Sequence, residues 1–152
     1  MTYTTVATYG DITHVAFNAR KADVLEVHRA TGGSVLAAMR YSAEVSDEVN
    51  VIRDDGGVPF CVYGCASDPD VDGQGVPWMI ATDHLKANRR FFHRVARDWH
   101  DHLRSTYASL ANYADAENTE SLRWLASLGY TIDPPVINDL GYPIQRFHQC
   151  AS

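Results

Sequence analysis

Apolar positions along this chain change period several times, and the changes mark its elements. Thr2 to Thr8 is rich in Thr, Tyr and Val and alternates weakly, as a strand does. Gly10-Asp11 ends it, and Asp11 or Thr13 offers a helix N-cap. Val15, Ala19, Ala22 and Leu25 then recur at roughly helical spacing until Thr31-Gly-Gly, which predicts one helix with an interruption near Lys21. Ser34 caps a second, shorter helix whose apolar face is Val35, Leu36, Ala38 and Met39. Glu48 to Arg53 and Val58 to Ala66 read as strands around Asp54-Asp-Gly-Gly, a turn whose glycines permit positive φ, so the two are expected to pair antiparallel. The polar loop Ser67 to Gly75 leads into a third strand, Val76 to Thr82.

Asp83 to Tyr107 is the longest helical stretch, with Phe92, Val95, Trp99 and Leu103 on one stripe and Arg94, Arg97, Asp101 and Arg104 around the rest. Ser109 to Ala114 is a short strand. The helix after Asn118 carries Ser121, Leu122, Leu125 and Leu128 at helical spacing and stops at Gly129, a residue suited to a left-handed C-terminal cap. Thr131 to Ile137 and Tyr142 to Gln149 make a closing hairpin around Asn138-Asp-Leu-Gly. This order predicts an α/β fold over residues 1–152, with a central mixed, mostly antiparallel sheet of about six or seven strands flanked by three or four helices.

Bulk properties narrow the function. At 152 residues and 45% hydrophobic content the chain suits one domain with one core. A formal charge of -6, spread without an acidic block, argues against nucleic acid or anionic lipid as partner, although Arg89, Arg90, Arg94 and Arg97 can form a local basic stripe. No apolar run approaches the roughly 18 residues that span a bilayer, and Met1-Thr-Tyr-Thr-Thr lacks the basic start and apolar core of an export signal, so synthesis in the cytosol is expected. Cys61 and Cys65, four apart in a predicted strand, read as small buried apolar residues on one face rather than metal ligands. His93, His100 and His102 lie on the long helix with Asp98 and Asp101, and they read as a solvated or contact face, since no metal-binding spacing accompanies them. Phe91 and Phe92 are adjacent and cannot both point inward, which places one at a groove or a subunit contact.

One spacing carries a family likeness. Asn118, Ser121 three residues on, Leu125 at plus seven, Gly129 at plus eleven and Tyr130 at plus twelve resemble the last signature block of the GNAT superfamily of N-acyltransferases, and the element order is similar over nearly the whole chain. The resemblance implies that Trp78 to Thr82 is a strand splayed from its neighbour, leaving backbone groups for a pantetheine arm. It also implies coenzyme A contacts at Ile80, Ala81, Lys86, Arg89, Arg90 and Asn118, with Glu117 or Asp115 as base and Tyr113 or Tyr130 as acid in an acetyl-CoA-dependent N-acyltransferase acting on a protein or small-molecule amine. Two departures stand against that activity. Arg89 and Phe91 occupy positions that the family fills with Gly and with Gly or Ala, so naked main chain is missing where a diphosphate would rest. Leu125 stands where many members place a tyrosine acid.

A second likeness is narrower. Trp78-Met-Ile-Ala-Thr-Asp, Arg89-Arg-Phe-Phe, Tyr107-Ala-Ser-Leu-Ala-Asn-Tyr113, Asn118 and Leu125-Ala-Ser-Leu-Gly129 look like the short internal virion protein of small podoviruses, which shares the GNAT-like fold and lacks the glycine-rich loop. It covers Pro77 to Phe147. The implied role is that of a bacteriophage virion-associated or assembly protein on a degenerate acyltransferase scaffold, using no cofactor and no metal. Its partners would be other phage virion proteins or further copies of itself, met in the host cytoplasm or in the particle.

Overall fold

The computed structural model describes residues 2–151. Strand β1 (Tyr3–Val6) leads into helices α1 (Tyr9–Phe17), α2 (Lys21–Thr31) and α3 (Val35–Val45), followed by strands β2 (Ser46–Arg53), β3 (Pro59–Ser67) and β4 (Gln74–Ala81). A 3-10 segment (Asp83–Asn88) opens into α4 (Arg89–Thr106), then come β5 (Ser109–Asp115), α5 (Thr119–Ser127), β6 (Thr131–Ile132), β7 (Val136–Ile137) and β8 (Pro143–Cys150). Among the described residues eight strands form one sheet in the order β1-β2-β3-β4-β5-β8-β6, with β7 also on β8, and only β4 and β5 pair in parallel. The expected mixed, mostly antiparallel α/β fold is therefore present.

Local chemistry explains the elements and the differences from expectation. Thr8, not Asp11 or Thr13, caps α1: its hydroxyl accepts the Asp11 N–H at 3.2 Å while the Asp11 carboxylate accepts the Thr8 N–H at 2.9 Å. The stretch expected as one interrupted helix is two, because Arg20 leaves helical geometry to donate its N–H to the Ala81 carbonyl. Ser34 caps α3 as expected, by accepting the Ala37 N–H at 3.1 Å. The expected last hairpin strand splits into β6 and β7, since Pro134-Pro135 offers no N–H to a ladder. These two breaks raise the strand and helix numbers above those expected.

Alternation across β2, β3 and β4 sorts the core into layers. Val51, Val62 and Ile80 meet Ile12 and Val15 of α1 and Val35 and Met39 of α3 on one face. Ile52, Cys61, Tyr63 and Ala81 meet Leu85 and Phe92 on the other. Leu103, Leu110, Leu125, Tyr130 and Phe147 complete that second layer between α4, α5 and the C-terminal strands. Cys61 and Cys65 are both fully buried in it, in keeping with the sequence reading. Burial raises both thiols, Cys65 to about 12.

Candidate active site

β4 and β5 pair only where Gln74 meets Ser109 and Gly75 meets Leu110, and beyond that point they part. Asn112 Nδ2 donates to the Pro77 carbonyl at 2.8 Å across the start of the opening. Pairing with β3 decides which groups of β4 face the gap. Thr82 donates its N–H to the Phe60 carbonyl, so Thr82, Ile80 and Trp78 form the hydrogen-bonded pairs with β3. Pro77, Met79 and Ala81 consequently turn their backbone groups toward β5. The Pro77 carbonyl is held by Asn112. Ala81 donates its N–H to Asp23 Oδ2 at 2.8 Å and accepts the Arg20 N–H at 2.9 Å. Met79 alone keeps both its N–H and its carbonyl without a hydrogen-bond partner among the described residues.

A cavity of about 270 Å³ passes through this opening, from Asp23, Glu26 and Val27 of α2 on one side to Phe92, Trp99 and Trp124 of α4 and α5 on the other. It is near the lower end of ligand-pocket sizes, about 300–1,000 Å³. Phe92 and Trp124 meet at 5.6 Å between ring centroids in its lining. His100, Leu103, Leu128, Tyr130 and Phe147 close its deep end.

The α2 side is a charged network. Arg29 Nη1 holds buried Asp115 at 2.7 Å and exposed Glu117 at 2.6 Å, and Arg20 holds Asp23 at 2.9 Å. Glu26 lacks a cationic partner among the described residues; its Oε2 accepts the Asp115 N–H at 3.1 Å and a long contact from Asn118 Nδ2 at 3.4 Å. Burial pushes its carboxyl above the ordinary glutamate range, against the lowering effect of the Asp115 N–H. Such a group holds a proton more strongly than an exposed glutamate does.

Of the residues named from sequence, Ile80, Tyr113 and Tyr130 line the cavity. Ile80 spends its backbone groups on β3, and Ala81 spends its own on Asp23 and Arg20, so the open edge falls on Met79. Asp115 and Glu117 are both engaged by Arg29, and Asn118 caps α5 by accepting the Ser121 N–H at 3.4 Å. Tyr113 is exposed, whereas Tyr130 is 7% exposed with its phenol raised by burial. Lys86, Arg89 and Arg90 rim an open basin with Phe91 and Arg94, outside the cavity lining. Their side chains are exposed, and the first turn of α4 holds neither an acidic residue nor a side-chain cap. Phe92 is the inward member of the aromatic pair, and Phe91 sits at the basin under Arg94.

His100 departs from the solvated face expected of the helix histidines. It is 6% exposed, because it shares the inward stripe with Phe92 and Leu103, while His102 turns out to Glu48 at 2.7 Å. Met79, Glu26 and His100 went unnamed as site residues. Pro77 held a usable signal for the first, since a proline inside a strand must sit where its missing N–H faces away from the ladder.

No protein-family model matches the sequence, and no curated protein does. Solved structures do match. An N-acetyltransferase from Staphylococcus aureus Mu50 superposes with a TM-score of 0.76 at 11% identity, covering 100% of this chain and 99% of the other. The fold is GNAT-like. A Salmonella typhimurium protein solved with its cofactor acetyl-CoA gives 0.67 at 13% identity over 100% and 95% of the two chains. A spermidine N-acetyltransferase from Vibrio cholerae in complex with CoA and spermine gives 0.71 at 9% over 99% and 95%. The expectation that no cofactor is used does not stand against structures of this GNAT-like fold that hold acetyl-CoA or CoA.

Proposed function

We propose that the protein is an N-acyltransferase that draws its acyl group from a coenzyme A thioester and delivers it to an amine on a protein or small molecule. The observation that carries this reading is the parted strand pair, in which Met79 presents an unpaired N–H and carbonyl to a cavity that also reaches Glu26. The residues present fit the group. Lys86, Arg89, Arg90 and Arg94 supply cationic side chains for phosphates around the basin, in place of glycine main chain. The gap between β4 and β5 supplies the room and the backbone groups for an amide-bearing arm.

When bound, acyl-CoA supplies a thioester whose C–S bond is exchanged for a C–N bond to the amine, releasing the thiol. The Met79 N–H is placed to donate to an oxygen in the gap, in a site screened from water by Phe92, Trp99 and Trp124. Glu26 takes a proton from an incoming ammonium, directly or through water, because burial has raised its affinity for one. Asp115 and Glu117 serve to orient: through Arg29 they fix the end of β5, whose Asp115 N–H aims Glu26. Burial raises the Tyr130 phenol, so it stays protonated and can donate a hydrogen bond inside the cavity. Titration calorimetry with CoA and acetyl-CoA, followed by acyl transfer to a panel of amines, tests the reading. Micromolar binding with turnover is expected; absence of heat at millimolar cofactor refutes it.

A virion-assembly role rests on the likeness between Pro77 and Phe147 and predicts the protein in purified phage particles. Mass spectrometry of such particles decides it, and either outcome is compatible with a working cofactor site.

A further inference from the structure

Charge along the cavity is unevenly spent. The acidic and arginine side chains in its lining are Arg20, Asp23 and Glu26. Arg20 grips Asp23 with two hydrogen bonds, Nε to Oδ2 at 3.2 Å and Nη2 to Oδ1 at 2.9 Å, so the pair is neutral as a unit. Arg29, the next arginine along α2, is engaged by Asp115 and Glu117. Burial disfavours the charged form of His100 at the closed end. Among the described residues the lining therefore offers a ligand one unspent carboxylate, that of Glu26, and no unspent cation. Asp23 adds to the effect of burial in disfavouring charge on Glu26, and an ammonium placed there offsets both.

Beyond Glu26 the α2 face is uncharged. Asp23, Glu26, Val27, Ala30 and Thr31 recur at helical spacing and line the cavity together. Ala30, Thr31 and Tyr113 of β5 are exposed, which sets the mouth at this end of α2. Thr31 Oγ1 is already spent, donating to the Val27 carbonyl at 2.8 Å and accepting the Gly33 N–H at 3.0 Å. The lining between Glu26 and the mouth is thus the hydrocarbon of Val27 and Ala30 and the ring of Tyr113. Ala30 lies one turn past Glu26, about 6 Å along the helix axis, which is the reach of a short alkyl chain. A carboxylate on such a chain finds no cation to hold it, and a second ammonium finds no second carboxylate.

We propose that the acceptor is a lone amine on an apolar stem, with its ammonium at Glu26 and its stem along Val27, Ala30 and Tyr113, and is neither an amino acid nor a polyamine. The inference rests on the acyltransferase reading and names its acceptor. Butylamine, 1,4-diaminobutane and 4-aminobutanoate share one stem and differ only in the charge at its far end. Calorimetric titration of each into the full chain saturated with CoA, and thiol release from acetyl-CoA with each as acceptor, compare them. Butylamine is expected to bind more tightly and to react about tenfold better than either charged analogue. Nα-acetyl-lysine methylamide presents the same stem from a peptide; transfer to it supports the proposal with a lysine side chain as the source, and transfer to butylamine only supports it with a free amine.

Ala30→Glu, at an exposed helical position, sets a second carboxylate one turn from the first and is expected to turn the preference toward 1,4-diaminobutane. Equal rates for the three probes, faster transfer to a charged one, or an unchanged preference in Ala30→Glu overturns the proposal. Absence of heat with CoA overturns the acyltransferase reading itself, so the first titration tells the two failures apart. The wild-type series decides by itself should Ala30→Glu not fold.

Discussion

Asn112 and Pro77 are joined by a 2.8 Å hydrogen bond from a β5 side chain to a β4 carbonyl, placed where the two strands stop pairing and start to diverge. The bond substitutes for a ladder rung that the parallel register no longer supplies. Asn112→Ala leaves the Pro77 carbonyl without its partner, for which a loss of about 1 kcal/mol is expected. Urea denaturation measures it, and a change under a few tenths would show that solvent replaces the amide.

Gly75 stands at the last paired position of β4, and its bare Cα is a requirement of packing. A Cβ there would lie 2.8 Å from Tyr107 Cγ and 2.9 Å from Cys65 Sγ. Gly75→Ala must push β4 from α4 at the apex of the opening, so a destabilisation of about 1–3 kcal/mol is expected, with weaker CoA binding beside it. An alanine variant as stable as the parent would mean that the Tyr107 ring gives way freely.

Arg29 separates two carboxylates that sequence alone treats alike. Asp115 is 4% exposed and Glu117 has an exposed side chain, yet both rest on the same guanidinium nitrogen. Arg29→Leu leaves the buried Asp115 carboxylate with only the Glu117 N–H and is expected to lower stability far more than Glu117→Ala does. Glu117→Ala removes a surface partner and is expected to cost under about 0.5 kcal/mol. Paired denaturation curves check the contrast, and equal losses would contradict it.

Much of this geometry was legible in the residues. Periodicity placed the β2–β3 hairpin, the long helix and the Gly129 stop, because each is governed by local rules: alternation, a stripe, a left-handed cap. The site was read less well. Signature positions pointed to Asp115, Glu117, Ile80 and Ala81, but which carboxylate is left without a cation, and which amide without a partner, follows from contacts such as Arg29 with Asp115 and Asp23 with Ala81. Those join residues 86 and 58 positions apart, beyond any local pattern. The bulky bend was read correctly as residues and too strictly as an obstacle, since Arg89 and Arg90 turn outward around an open basin.

Glu26 is expected to make stability, and the rate of the proposed transfer, depend on pH. Its folded carboxyl holds a proton above the range in which the unfolded chain releases it, so its favourable contribution is complete below the ordinary glutamate value and is lost as pH rises through the raised one. Glu26→Gln is expected to match the wild type in acid and to exceed it in stability at pH 8. The same variant is expected to lose acyl transfer by about 100-fold or more while binding CoA normally. A flat difference in denaturation free energy between pH 4 and pH 8 would remove Glu26 from the role of base.

Arg89 and Arg90 carry the test of how phosphate is held without glycine. A glycine loop binds a diphosphate through main-chain N–H groups, whereas in the proposed site the exposed guanidinium groups at the basin would hold it through side-chain charge. Replacing both by alanine is therefore expected to weaken CoA about tenfold or more. The same change should leave S-acetyl-pantetheine, which carries no phosphate, bound as in the wild type. Salt discriminates further: affinity for CoA should fall with ionic strength in the wild type and much less in the double variant, since screening acts on exposed charge. Equal losses for the two ligands would mean that the arginines shape α4 rather than hold phosphate, and undiminished CoA binding would return the role to the main chain of residues 86–91.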